Sequence, residues 1–235
     1  ADAGSLAIEG IVRSRDGLAR IEGEGTLGGK AIAPGREFDQ TLAGLVRAGQ
    51  GSFAAPMAAQ VRSALRREAP ASVLGASWLL RTDTDGTSLT VPRAVLRGGS
   101  GADLLALSRV QLSSGKDGVP RLSGNLVTGG AGLPHLEGRF ERRRDGTGGA
   151  RLTMAEYRAG DARVALPLLV LAQTRTGELG FSGRAELSGA LPGGRIEGLT
   201  IPLDGNWSSR RGLSAWRQCT PLRFAHFAFA NRSLE

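Results

Sequence analysis

Residues 106–126 read ALSRVQLSSGKDGVPRLSGNL and residues 165–185 read ALPLLVLAQTRTGELGFSGRA. The two stretches align without a gap at an offset of 59 residues, with Gly124 on Gly183, Gly118 on Gly177 and Leu112 on Leu171. The correspondence extends outward on both sides. Asp85-Gly86-Thr87 with Leu89-Thr90-Val91 matches Asp145-Gly146-Thr147 with Leu152-Thr153-Met154, and Leu133-Pro134 with Glu137-Gly138 matches Leu191-Pro192 with Glu197-Gly198. A fixed period in this range marks a supersecondary block that hides its apolar face by stacking on its neighbour. An extended array is therefore expected, and an array works along its surface.

Within the repeat the apolar residues recur every second position. Leu122, Gly124 and Leu126 alternate with Arg121, Ser123 and Asn125; Leu136, Gly138 and Phe140 alternate with Glu137, Arg139 and Glu141. This is the signature of strands with one buried face. Asp-Gly pairs at 16–17, 85–86, 117–118 and 145–146 are hairpin signals between them. Each repeat reads as about four antiparallel strands, near 88–97, 104–113, 120–127 and 135–143, then 150–157, 162–172, 178–188 and 195–204. In strand 162–172, regular alternation puts Val164, Leu166, Leu168 and Val170 on one face and Ala165, Pro167, Leu169 and Leu171 on the other. Both faces are apolar, which implies a covered second face. Pro167 argues for an edge or a bulge.

Residues 37–68 differ in kind. Phe38, Leu42, Leu45 and Val46 follow helical spacing, and after Gly49-Gln50-Gly51-Ser52 the residues Phe53, Met57, Val61 and Leu65 sit four apart. Pro56 suits a first turn and Arg66-Arg67 a last turn. A helical hairpin is expected here, capping an end of the β array or plugging a groove. The expected organisation is an N-terminal hairpin region at 1–36 (strands 5–15 and 18–28), the helical insert at 37–70, β units at 71–144 and 145–206, and the start of a further unit at 207–235.

The chain has 235 residues, with 36 Gly, 10 Pro and only 5% aromatic residues. That composition points to many turns or to closely approaching backbones. A net charge of +8 invites a nucleic-acid reading, but the charge is almost all arginine, scattered singly along alternating strands. The densest run, Arg139-Phe140-Glu141-Arg142-Arg143-Arg144, reads as a solvated strand end ahead of anionic head-group contact, with nucleic acid last. The one cysteine, Cys219, allows no internal disulfide. There is neither an 18-residue apolar run nor a signal peptide. The opening ADAGSLAIEG looks like the interior of a longer protein, so an anchor outside this chain is expected.

Catalytic constellations are thin. His135 and His226 are far apart beside apolar strand residues, and no metal-ligand spacing is present. Ser113-Ser114-Gly115-Lys116 lies at an Asp-Gly turn, not at a helix start. Gly23-Glu24-Gly25-Thr26-Leu27-Gly28 fits a phosphate-loop pattern by letter but lies inside a strand. Neither a cofactor nor an enzyme activity is expected. What remains is a continuous aliphatic strand face, and acyl chains suit it because they need no hydrogen-bond partner.

The stretch LTMAEYRAGDARVALPLLVLAQTRTGELGFSGRAELSGALPGGRIEGLTIPLDGNW and the later WRQCTPLRFAHFAF resemble the YdbH-like members of the AsmA-like superfamily, over roughly residues 85–235. The resemblance implies a mainly β fold: an elongated, curled antiparallel sheet with a hydrophobic groove. It also implies a periplasmic location, tethered to the inner membrane, and phospholipid movement to the outer membrane, with no catalytic residues. The expected partners are phospholipid or another acyl-chain lipid and, through parts outside this chain, membranes; nucleic acid is not expected. The expected groove lining is Leu122, Leu126, Leu136, Phe140, Val164, Leu166, Leu179, Phe181 and Leu187. The competing readings are a structural or adhesive repeat module with a closed core, and a LolA- or lipocalin-like carrier of one lipid.

Overall fold

The computed structural model describes residues 5–15, 20–32, 34–115, 120–130, 132–230 and 232–234. A hairpin of β1 (Ser5–Arg15) and β2 (Arg20–Lys30) leads into helices α1 (Arg36–Ala48) and α2 (Ala54–Glu68). Then come β3 (Val73–Asp83), β4 (Gly86–Arg97), β5 (Asp103–Gly115), β6 (Arg121–Thr128), β7 (Leu136–Arg142) and β8 (Gly148–Ala159). The remaining strands are β9 (Ala162–Gln173), β10 (Leu179–Leu191), β11 (Gly194–Ser208), β12 (Gly212–Ala215), β13 (His226–Phe229) and β14 (Arg232–Leu234). All 14 belong to one antiparallel sheet whose order follows the chain from β1 to β11. β12 folds back on one end of β11, and β13, with β14 beside it, pairs with the other end.

The turn chemistry read from the sequence builds these hairpins. At the β7–β8 turn the Asp145 carboxylate accepts the Thr147 N–H at 3.0 Å and the Thr147 hydroxyl at 2.7 Å, and Gly146 supplies φ 82°. The Asp16-Gly17 and Asp117-Gly118 pairs and Lys116 lie outside the described residues. The eight expected strands of the two repeats all form, and Gly124 and Gly183 fall in β6 and β10, four strands apart. β3 is an additional strand, marked by the alternation of Leu74, Ala76, Trp78 and Leu80.

The mainly β fold, elongated and antiparallel with a helical hairpin inserted, is what forms. The sheet is open and uncurled where a curled one was expected. Closure needs the outer strands to pair, and here β1 and β14 stand at opposite ends of the strand order, with no ladder between them among the described residues. The consequence is a single layer. Its accessible surface is 15071 Å², against about 10,000 Å² for a compact monomer of this mass. Several of the few buried apolar side chains are alanines (Ala58, Ala64, Ala69, Ala159 and Ala162), gathered where the helices meet the sheet.

The insert caps one end of the strands. The Phe53 N–H donates to the Ala190 carbonyl at 2.8 Å, at the β10–β11 turn. Gln60 Nε2 donates to the Arg158 carbonyl at 2.9 Å. At the far end of α2 the Gly99 N–H donates to the Glu68 carbonyl at 3.1 Å. A helix of 15 residues is about 22 Å long, so α2 runs along the ends of the strands between the β4–β5 turn and β10. α1 is held to α2 by Asp39, whose carboxylate accepts from Arg62 at 2.7 and 2.8 Å and from Arg66 at 3.1 Å.

Two carboxyls therefore anchor the insert, and both ionise more readily in the fold than in the unfolded chain. Hydrogen bonds from Arg62 and then Arg66 hold Asp39 well below the usual carboxylate range. The Ser100 N–H and hydroxyl, at 2.9 and 2.8 Å, lower Glu68. A depressed carboxyl contributes its stability in full above its unfolded pKa, near 4, and loses it as pH falls through the folded value. The thermal midpoint of the wild type is expected to be flat from pH 7 to about 4.5 and to fall below that. In Asp39→Asn/Glu68→Gln the midpoint is lower at neutral pH and the acid slope shallower. Scanning calorimetry across pH checks both.

Candidate functional site

Residues opposite one another on paired strands share a face of the sheet, so the register identifies the faces. One row runs Val12, Gly23, Leu80, Leu89, Leu112, Leu122, Arg142, Gly148, Gln173, Leu179, Trp207 and Leu213. The next, on either side of a register shift, holds Gly10, Gly25 and Trp78, then Gly124, Phe140, Ala150, Leu171, Phe181 and Gly205. A third runs Ile8, Leu27, Ala76, Ala94, Leu107, Leu126, Gly138, Leu152, Leu169, Gly183 and Leu203. A fourth includes Leu74, Leu96, Leu105, Thr128, Leu136, Met154 and Leu166. The result is a nearly unbroken apolar face across eleven strands, about 48 Å along the sheet at about 4.8 Å per strand.

All nine residues expected to line a groove lie on this face, and each is half-buried. Val164 and Leu187, paired across β9 and β10, sit nearest the helical insert. Strand β9 departs from the simple alternation. Leu168 pairs with Arg184, and two residues of β10 further on Glu186 pairs with Ala165, so β9 carries an extra residue beside Pro167. Leu169 and Leu171 therefore join Val164 and Leu166 on the apolar face, while Leu168 and Val170 turn to the polar one opposite Arg184 and Ser182. The bulge explains the doubly apolar pattern without a covering layer.

Glycine shapes the floor of the face. A methyl group on Gly10 would stand 2.5 Å from Trp78 Cζ2 and one on Gly25 2.7 Å from the same atom. Phe140 Cζ stands 2.7 Å from the equivalent point on Gly124, and Phe181 Cζ 2.5 Å from that on Gly205. Three rings thus pack against bare backbone, the cross-strand pairing known to rescue strand glycines. Composition announced the glycines. Their partners are named only by the register, which is why Trp78, Leu152, Met154, Leu169, Leu171 and Trp207 are further face residues that alternation alone did not single out.

The other face is mixed, with charged and polar side chains interleaved with apolar ones such as Ile11, Leu79, Val95 and Val127. Several of its ion pairs join residues two apart on one strand, among them Glu141–Arg143 at 2.8 Å and Arg195–Glu197 at 3.0 Å. A concavity of about 850 Å³ there is lined by Asn125, Glu137, Arg139, Arg151 and Val170 among others, a charged wall that would strand an acyl chain. His135 is exposed and bonded to Glu137 at 2.9 Å, and Gly23 to Gly28 lie inside β2. Among the described residues no three of His, Cys, Asp and Glu converge on a point that could hold a metal. Among the described residues no helix is long and apolar enough to cross a membrane.

Such an apolar face is chemically suited to aliphatic chains. Each methylene laid against it gains about 0.8 kcal/mol at full burial, and the face offers almost no hydrogen-bonding group to fix a chain in one place. No curated protein and no solved structure matches this chain. A family model does, over residues 8–234; it is described as YdbH-like, intermembrane phospholipid transport protein YdbH. The match spans both repeats, the insert and the N-terminal hairpin, and the chain belongs to the YdbH-like family of intermembrane phospholipid transport proteins.

Proposed function

We propose that this chain is a segment of a periplasmic phospholipid conduit, with acyl chains lying on the apolar face of β1–β11 and moving along it between the inner and outer membranes. The tether to the inner membrane belongs to parts of the protein outside this chain. The observation that carries the reading is the uncovered face itself: rows of Leu, Val, Ile, Phe and Trp, half-exposed, in a sheet with half again the surface of a compact monomer. Exposure at the edge is greater still, with Ile8 at 67% and Leu213 at 67%. Movement is passive. Dispersion contacts are interchangeable from row to row, so a sliding chain exchanges like for like.

A structural module with a closed core would bury these side chains, and a carrier of one lipid would enclose them. The open single layer favours neither. The test is mass spectrometry of organic extracts from the purified chain. Co-purified phospholipid, with two acyl chains per phosphate, is the expected result; an apolar face free of lipid after purification from a membrane-containing host would overturn the reading.

A further inference from the structure

One charged side chain interrupts the apolar rows traced by the register in a place that the solvated strand end does not explain. Arg142 pairs with Leu122 on one side and Gly148 on the other, so it stands on the apolar face and not with Arg139 on the polar one. Beyond Gly148 the same row continues with Gln173. Gly148 has no side chain, so a notch about two interstrand spacings wide, roughly 10 Å, separates the guanidinium strand from the amide strand. The Gln173 amide leans into it, with Oε1 3.5 Å from where a Cβ on Gly148 would stand. Arg142 makes no ion pair among the described residues, in contrast to its neighbour Arg143, which is held by Glu141 at 2.8 Å.

The two ends of the face are therefore unlike. At one end α2 covers the strands, with Phe53 Cβ 2.8 Å from the point where a Cβ on Gly189 would lie. At the other, the apolar row is interrupted on β7–β9 by Arg142 and Gln173, next to the exposed guanidinium of Arg144. From the Arg142 row to the Met154 row along a strand is three two-residue steps, about 20 Å. One leaflet of a bilayer's hydrocarbon is about 15 Å deep. A phospholipid laid parallel to the strands fits that span with its tails toward α2 and its phosphate at the notch.

We infer that Arg142, with Gln173 across the Gly148 gap, binds the phosphate of the phospholipid head group and orients each lipid across the sheet. The inference rests on the conduit reading above and adds to it a polarity: heads at the arginine end, tails at the helical end. A guanidinium offers a forked pair of donors to phosphate, and the amide turns its N–H groups toward the same anion.

The experiment compares dioleoylphosphatidylglycerol with dioleoylglycerol, which has the same tails and no phosphate. Each is offered in detergent micelles to the purified chain, and retained lipid is counted. The wild type should prefer the phospholipid by about tenfold, the size of one charge-assisted contact. Arg142→Leu should erase most of that preference while retaining dioleoylglycerol as well as the wild type does. Gly148→Leu, which fills the notch without touching the charge, should do the same, and Arg144→Leu should have a smaller effect. A preference unchanged in Arg142→Leu and Gly148→Leu overturns the head-group site while leaving the conduit intact. If the wild type retains neither lipid, the conduit reading falls and the site falls with it.

Discussion

Leu126→Glu is expected to weaken phospholipid retention by about 10- to 100-fold, the cost of setting acyl chain against an ionised carboxylate, with the strand content unchanged. Leu126 stands between Leu107 and Gly138 in the middle of the apolar face. It is half-buried by its lateral neighbours, with no second layer above it, so a glutamate there can extend into water while the strand ladder stays intact. Phe181→Glu should act in the same way three strands beyond Phe140. The control is one residue away. Asn125→Glu, on the opposite face and directly across from Arg139, introduces the same charge and should leave lipid retention at the wild-type level. Circular dichroism and lipid counting on the three variants decide the matter. If Leu126→Glu unfolds while Asn125→Glu folds, the face is a closed core and not a binding surface.

Gly183→Ala is expected to cost about 3 kcal/mol of stability. At about 2–4 °C per kcal/mol for a chain of this size, that is a fall of about 6–12 °C in thermal midpoint. Gly183 sits at φ 153°, a region that L side chains rarely adopt, and a methyl group there would collide with the Leu168 carbonyl oxygen, part of the bulged stretch of β9. Its repeat partner Gly124 should be far more tolerant. There the obstacle is the Phe140 ring and Val110 Cγ2, and side chains can shift where a backbone carbonyl cannot. Gly124→Ala should cost about 1 kcal/mol and displace the ring into the lipid path, lowering lipid retention more than stability. Equal losses at both positions, measured by calorimetry, would show that the two glycines do the same work.

The comparison of these two glycines shows how far the sequence could be read. Their equivalence was visible as a repeat, and so was the face that they belong to. Their different reasons for being glycine were not, because one depends on a bulge in the next strand and the other on an aromatic ring across a ladder. The doubly apolar run in β9 is the same case. Pro167 announced an irregularity there, but the parity of Leu168 and Leu169 is set by which residues of β10 they meet.

Arg142 marks the remaining gap. The period-two pattern of β7 already places it on the side of Leu136, Gly138 and Phe140, one step past the last apolar residue. As part of an arginine run it reads as solvated charge, and only Leu122 and Gly148 beside it turn it into a polar group at the rim of an apolar surface.

What the sequence determines by itself is local and periodic: strands with one greasy face, Asp-Gly turns between them, an amphipathic helical pair between β2 and β3, and a repeat in which no reactive group recurs. These follow from neighbours along the chain, where alternation and turn chemistry act within a few residues. The tertiary structure alone decides that the sheet stays a single open layer, that aromatic rings lie on glycine, that α2 covers one end of the face and that Arg142 stands at the other. Each of these depends on register between strands, and a register is chosen by the summed contacts of whole strands, so no single segment carries it.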